Sequence, residues 1–119
     1  MFNGRDGEWR ARIDTIGKGW ASLQLTEQSL PQPVEPDIWL LFAPIKRGRV
    51  DFLVQKATEL GVSILLPTTT RRTVVERINL VRLGTTAAEA AEQCRRLSVP
   101  ELRPVQSLEK VLASWPEER

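Results

Sequence analysis

The sequence predicts an α/β protein in two unlike parts, a small antiparallel β piece followed by an open parallel α/β layer. Three observations carry that reading. Apolar and polar residues alternate from Glu8 to Leu25, the period of strands with one buried face. Pro31, Pro33 and Pro36 fall within six residues, too dense for regular structure. After them, continuous apolar runs alternate with stretches of helical period, the pattern of a sheet covered on both faces.

The first elements follow from the alternation. Phe2 precedes Asn3-Gly4 and Asp6-Gly7, a turn signal between two strands. In residues 8–16, Trp9, Ala11 and Ile13 point one way while Arg10, Arg12 and Asp14 point the other. Gly17-Lys18-Gly19 is a turn, and Trp20–Leu25 alternates again. Trp9 and Trp20 are expected inside a barrel as core, rather than as platforms for stacked bases. Residues 31–36 are the linker and the candidate domain boundary.

Beyond the linker, Ile38–Ala43 is apolar without a break, as in a buried parallel strand. From Arg49 to Leu60 the period is helical. Val50, Leu53, Val54, Ala57 and Leu60 form one stripe, and Gly61 is the stop. Val62–Pro67 is a second buried strand, and Thr68–Ile78 is expected to be an irregular polar loop. Asn79 can cap a helix from Leu80 to about Leu97. Thr86-x-x-Glu89 offers a later start, because Gly84 weakens the first turns. Cys94, in an alanine-rich helix, is expected to be a small core residue. Val99–Val105 is short and extended, and Ser107 caps a last helix from Leu108 to about Trp115.

Composition excludes several chemistries. The chain has 119 residues, 41% hydrophobic and 27% charged, with a net charge of +2, enough for one modest core. Cys94 is the only cysteine and histidine is absent. That excludes an internal disulfide, a Cys/His nucleophile pair and an ordinary zinc site, and it fits a reducing cytoplasm. No apolar run reaches the length of a membrane span. Between Arg71 and Arg103 every basic residue is arginine: Arg71, Arg72, Arg77, Arg82, Arg95, Arg96 and Arg103. These face Glu76, Glu89, Glu92 and Glu101. Such a set is either a solvated surface with ion pairs or a phosphate-binding face, for which the forked guanidinium is suited.

The candidate site residues each carry two readings. Lys56 and Glu59 are helix neighbours: a surface ion pair, or a lysine that serves a binding surface. Glu89, Glu92, Gln93 and Arg96 share a helix face: a solvated stripe opposite Ala87, Ala90, Ala91 and Cys94, or a polar cluster with a functional role. Arg71 and Arg72 follow three threonines: plain surface charge, or phosphate contacts. No GxGxxG, phosphate-binding loop, GxSxG or HExxH is present, and the last glycine is Gly84.

Two motifs in order, Gln55-Lys56-Ala57-Thr58-Glu59-Leu60-Gly61-Val62 and Glu89-Ala90-Ala91-Glu92-Gln93 with Arg96, resemble the RsmE family of the SPOUT superfamily. The likeness begins at Phe2-Asn3-Gly4 and includes Lys46, Pro67, Arg72-Thr73 and Val99-Pro100-Glu101-Leu102. Leu83 departs from it, standing where many members carry tryptophan. The resemblance implies a partial PUA-like β-barrel (1–30), the proline-rich linker (31–36), and the N-terminal part of a SPOUT (α/β-knot) Rossmann-like domain (37–119). It implies a cytoplasmic, S-adenosylmethionine-dependent methyltransferase acting on N3 of a uridine in 16S rRNA of the small ribosomal subunit, homodimeric at full length. RNA-binding or active-site support falls on Lys46, Lys56, Arg72, Gln93 and Arg96, with no catalytic base or metal ligand assigned. Members run to roughly twice this length, so the likeness is to the front half. The knot segment that binds S-adenosylmethionine is expected to be absent and the isolated chain inactive. The alternatives are a truncated, non-catalytic rRNA-binding module or an inactive fragment.

Overall fold

The computed structural model describes residues 1–73 and 77–117. It is mixed α/β, with two separate sheets. β1 (Glu8–Gly17) and β2 (Trp20–Leu30) form an antiparallel hairpin. Lys18-Gly19 turns the chain, with Gly19 at φ 78°, a conformation that costs glycine nothing. Gly17 lies under the Trp20 indole, which a Cβ there, at 2.2 Å from the ring as it stands, would displace. Before β1, Phe2 bridges Glu8, and the Asn3 side chain accepts from the amides of Arg5 and Asp6.

Trp9 is half-buried, but Trp20 does not lie in the interior expected for it. Trp20 is 58% exposed, and Ile13, Leu23 and Leu25 are exposed with it. Two strands have one apolar face and nothing among the described residues to lay it against. Alternation reports which face is apolar, not whether a partner covers it.

β3 (Trp39–Phe42), β4 (Ile64–Thr69), β5 (Glu101–Leu102) and β6 (Gln106–Ser107) are parallel. β3 and β5 flank the start of β4, while β6 pairs with its last residues. Both expected strands are therefore present, but β3 is half-buried as the sheet's edge rather than covered on both faces, while β4 is buried and runs further than expected, to Thr69. Of the loop expected over 68–78, residues 74–76 lie outside the described residues.

α1 (Arg47–Glu59) and α2 (Leu80–Gln93) pack on one face of this sheet. Leu65 and Phe42 meet Val50, Val54 and Ala57 of α1 and Leu83 and Ala87 of α2. Leu83 is fully buried, so leucine fills its place in this core. The α1 stripe holds except at its end: Leu60 is 82% exposed, because it follows the last helical turn. α3 (Leu108–Ala113) lies against β4 with Val111 buried. Ser107 caps it by accepting from the Lys110 amide.

α1 and α2 end in the same hydrogen-bonded turn. In α1, Gly61 (φ 96°) donates to Thr58 O and Val62 to Ala57 O. In α2, Arg95 (φ 59°) donates to Glu92 O and Arg96 to Ala91 O. This is the Schellman arrangement, usually built on glycine. α2 therefore stops at Gln93, short of the expected Leu97. Asn79 caps its start through the Arg82 amide, so the later start at Thr86 is not used. Cys94, expected in the core, is exposed at the cap.

The segment between the hairpin and β3 has no regular structure but is tied down. Gln32 accepts from the Gly7 amide and donates to Ser98 Oγ. Glu35 receives the Arg96 guanidinium, which also donates to Thr58 O at 2.9 Å.

Candidate nucleic-acid interface

The carboxyl ends of parallel strands are where open α/β sheets place ligands, since loops there diverge and helix N-termini converge. Three segments meet at that rim. Ala43–Lys46 leads from β3 into α1, Thr70–Thr73 follows β4, and Ser107 starts α3. A recess of about 360 Å³ lies between the first two, lined by Ile45, Lys46, Arg49, Thr70, Arg72 and Thr73. A second, of about 560 Å³, joins Arg71 and Arg72 to Ser107 and Glu109. A third, of about 470 Å³, collects Arg47, Arg77 and Arg82 beside Asn79.

The local geometry explains why these cations point outward. Thr70 and Thr73 close a tight turn: the Thr73 amide donates to Thr70 O at 3.1 Å, and the Thr70 amide to Thr73 Oγ1 at 2.7 Å. Arg71 and Arg72 occupy its two central, exposed positions. Lys46 is the N-cap of α1, where its carbonyl accepts from the Arg49 and Val50 amides. Its side chain caps nothing, and the first turn has no acidic residue. Cations at a helix N-terminus oppose the dipole, so this helix starts against its own electrostatic preference.

Arg82 is paired with Asp51. Among the described residues, Lys46, Arg47, Arg49, Arg71, Arg72 and Arg77 make no ion pair. The rim is a concentration of positive charge with hydroxyls between, and Glu109 is the acidic residue at its margin. Such a surface can hold successive phosphates.

The five residues singled out in the sequence separate into two groups. Lys46 and Arg72 meet at the rim recess. Lys56 lies ten residues along α1, about 15 Å away at the helical rise, paired with Glu59 at 3.0 Å. Gln93 is exposed at the end of α2. Arg96 leaves the helix face it was expected to share, because the turn at Arg95 swings it inward. Its side chain is 8% exposed and bonded to Glu35 and Thr58. Arg47, Arg49 and Arg77 join the rim although the motifs did not single them out. Their position at strand-to-helix junctions was the available signal.

Among solved structures, a probable rRNA methyltransferase from Porphyromonas gingivalis shares the fold, with a TM-score of 0.84 at 23% identity over 98% of this chain and 50% of that one. The ribosomal RNA small subunit methyltransferase E from Neisseria gonorrhoeae, bound to S-adenosyl methionine, superposes with a TM-score of 0.81 at 25% identity, covering 98% of this chain and 51% of its own. Ribosomal RNA small subunit methyltransferase E of Rickettsia conorii is 36% identical over 100 residues, 84% of this chain and 41% of that protein. The Synechocystis protein of the same name is 31% identical over 105 residues, 84% of this chain and 33% of that protein. The chain thus spans less than half the length of these two relatives. Residues 32–119 match the RNA methyltransferase domain family model, and the chain belongs to that family, as an RsmE-like member.

Proposed function

We propose that this chain is the front portion of a cytoplasmic, S-adenosylmethionine-dependent methyltransferase that modifies N3 of a uridine in 16S rRNA and works as a homodimer. The observation that carries the reading is the family match over 32–119, joined to relatives named for the small-subunit RNA. In that reaction S-adenosylmethionine would supply the methyl group that uridine N3 takes up with loss of its proton, and no residue of this chain is assigned to hold the donor. The demand on the protein is positioning of base against donor.

Within that reading, the rim binds RNA backbone. Lys46 and Arg72 contact phosphates, with Arg47, Arg49, Arg71 and Arg77 extending the track. The same rim does not suit the methyl donor, whose sulfonium is itself a cation and is repelled by six others. No step of the chemistry is therefore assigned to it, and the isolated chain is expected to bind S-adenosylmethionine without useful affinity. Lys56, Gln93 and Arg96 support the site from the far end of the helices, Arg96 by fixing their termini.

Two measurements test this. Grafting this chain in place of the matched segment of the Rickettsia conorii relative should give N3-methyluridine in 16S rRNA, detectable by mass spectrometry of nucleosides. The unmodified nucleoside from a folded graft would refute the enzymatic reading. A 16S rRNA fragment titrated with the chain itself should bind with steep salt dependence, and Arg72→Ala should flatten the slope of log affinity against log salt by about 1. An unchanged slope returns Arg72 to plain surface charge.

A further inference from the structure

An acid stands among the cations of the rim. β6 pairs with the end of β4, Thr69 against Ser107, and this register brings Glu109, two residues further on, beside the turn that carries Arg71 and Arg72. The three line the recess of about 560 Å³ together with Thr69 and Leu108. Glu109 is exposed and makes no ion pair among the described residues, although two guanidiniums line the same recess. A carboxylate there repels phosphate and so opposes the attraction of its neighbours. On single-stranded RNA its partners are donors, chiefly the N–H groups of base edges. Guanine presents two adjacent donors, N1–H and the N2 amine, which match the two carboxylate oxygens. Uracil places N3–H between two carbonyls, and the amines of adenine and cytosine each adjoin a bare ring nitrogen, so their lone pairs repel a carboxylate.

We propose that this recess holds one guanine nucleotide of single-stranded RNA, with Glu109 accepting from N1–H and the N2 amine, the half-buried Leu108 against the base, and Arg71 or Arg72 on its phosphate. A recess of this size suits a single nucleotide. The assignment rests on the reading of the rim as an RNA surface and adds to it a reader of sequence, which phosphate contacts alone cannot be. It does not depend on methylation. As an acid in the first turn of α3, Glu109 also complements the dipole of that helix, an effect blind to which base is bound.

Fluorescence anisotropy on the whole chain tests this with three RNAs at low salt: hexauridylate, the same hexamer with one central guanosine, and that hexamer with inosine, which lacks the N2 amine, in its place. The guanosine hexamer should bind about tenfold tighter than hexauridylate, within the discrimination of a bidentate pair, and inosine should forfeit most of the gain. Glu109→Gln removes the paired acceptors and the negative charge together. The guanosine preference should then fall to about twofold or less, while hexauridylate binds more tightly. Glu109→Asp keeps the carboxylate and should keep part of the preference. Equal tightening of all three RNAs by Glu109→Gln overturns the proposal, leaving Glu109 a plain repelling charge. A guanosine preference that survives Glu109→Gln overturns it as well. Salt-dependent binding with no base preference overturns this assignment alone, whereas a chain that binds none of the three overturns the RNA reading of the rim with it.

Discussion

Arg96 grips Glu35 with two guanidinium donors, Nε at 3.0 Å and Nη2 at 2.7 Å, while its third contact, from Nη1, satisfies the carbonyl of Thr58 at the end of α1. Glu35 lies in the proline-rich segment, Thr58 in α1 and Arg96 just past α2. One side chain therefore joins three segments distant in sequence. The proline segment is part of the fold, because Gln32 and Glu35 both anchor it to the α2 terminus.

Removing Arg96 should cost more than a surface ion pair. Its side chain is 8% exposed and that of Glu35 25%. Arg96→Ala would leave a half-buried carboxylate and an orphaned carbonyl. The loss is expected at about 2–4 kcal/mol, the range for breaking a buried pair, reduced for the partial exposure of Glu35. Arg96→Lys keeps the charge without the fork and should recover part of it. Urea unfolding of the three proteins checks the order. A loss below about 0.5 kcal/mol for Arg96→Ala, the scale of exposed pairs, would mean the contact is ornamental to stability.

Two opposite substitutions should both stabilise α2. Gly84 sits within the helix, and a Cβ there would meet Leu102 Cδ1 at an ordinary 3.8 Å. Gly84→Ala should gain about 0.5–1 kcal/mol from helix propensity. Arg95 holds a positive φ that favours glycine. Arg95→Gly should gain about 0.5–1 kcal/mol by relieving the left-handed strain, offset in part by a freer unfolded chain. Thermal unfolding should show both melting points raised. A lower melting point for Arg95→Gly would mean that its side chain makes a contact worth more than the strain.

The parallel layer was legible because its signals are local. A continuous apolar run gave β3, Gly61 gave the end of α1, and Asn79 and Ser107 gave two caps that the structure shows accepting from Arg82 and Lys110. The end of α2 was not legible, since arginine at a left-handed position carries no mark in the sequence. That one residue misplaced Cys94 and Arg96 together. The hairpin strands were legible, but their exposure was not, because alternation cannot say what covers a face. At the candidate site, loop composition singled out Arg72 and family likeness Lys46, and the two line one recess. Arg47 and Arg49 needed the sheet's carboxyl rim to be drawn before their position had meaning.

Acid should weaken the amino-terminal turn. The Asn3 side chain donates to the Asp6 carboxylate, and chiefly for that reason its pKa lies below the usual 3.8. A carboxyl whose folded pKa is depressed adds stability above its unfolded pKa and loses it as pH falls through the folded one. The effect should therefore appear only below about pH 4. Asp6→Asn should remove it, and amide exchange at Arg5 and Asp6 followed by NMR would register the difference. Identical pH profiles for the two proteins would place the acid sensitivity elsewhere.

Lys46 separates stability from binding most directly. It occupies the N-cap of α1 with φ −52° and ψ 140°, its side chain bonds no backbone amide, and no acid occupies the first turn. Aspartate fits that backbone, can accept from a first-turn amide, and complements the helix dipole. Lys46→Asp should therefore stabilise the fold by about 1 kcal/mol. The same change replaces a rim cation with an anion beside Arg72 and Arg49. Affinity for a 16S rRNA fragment should fall, with the salt slope reduced by about 1 or more. Lys46→Ser should show the stabilisation with a smaller loss of affinity, since it caps without adding an anion. A variant both more stable and equally tight on RNA would remove Lys46 from the interface. A less stable one would show that its ammonium already serves the helix in a way the hydrogen bonds do not reveal.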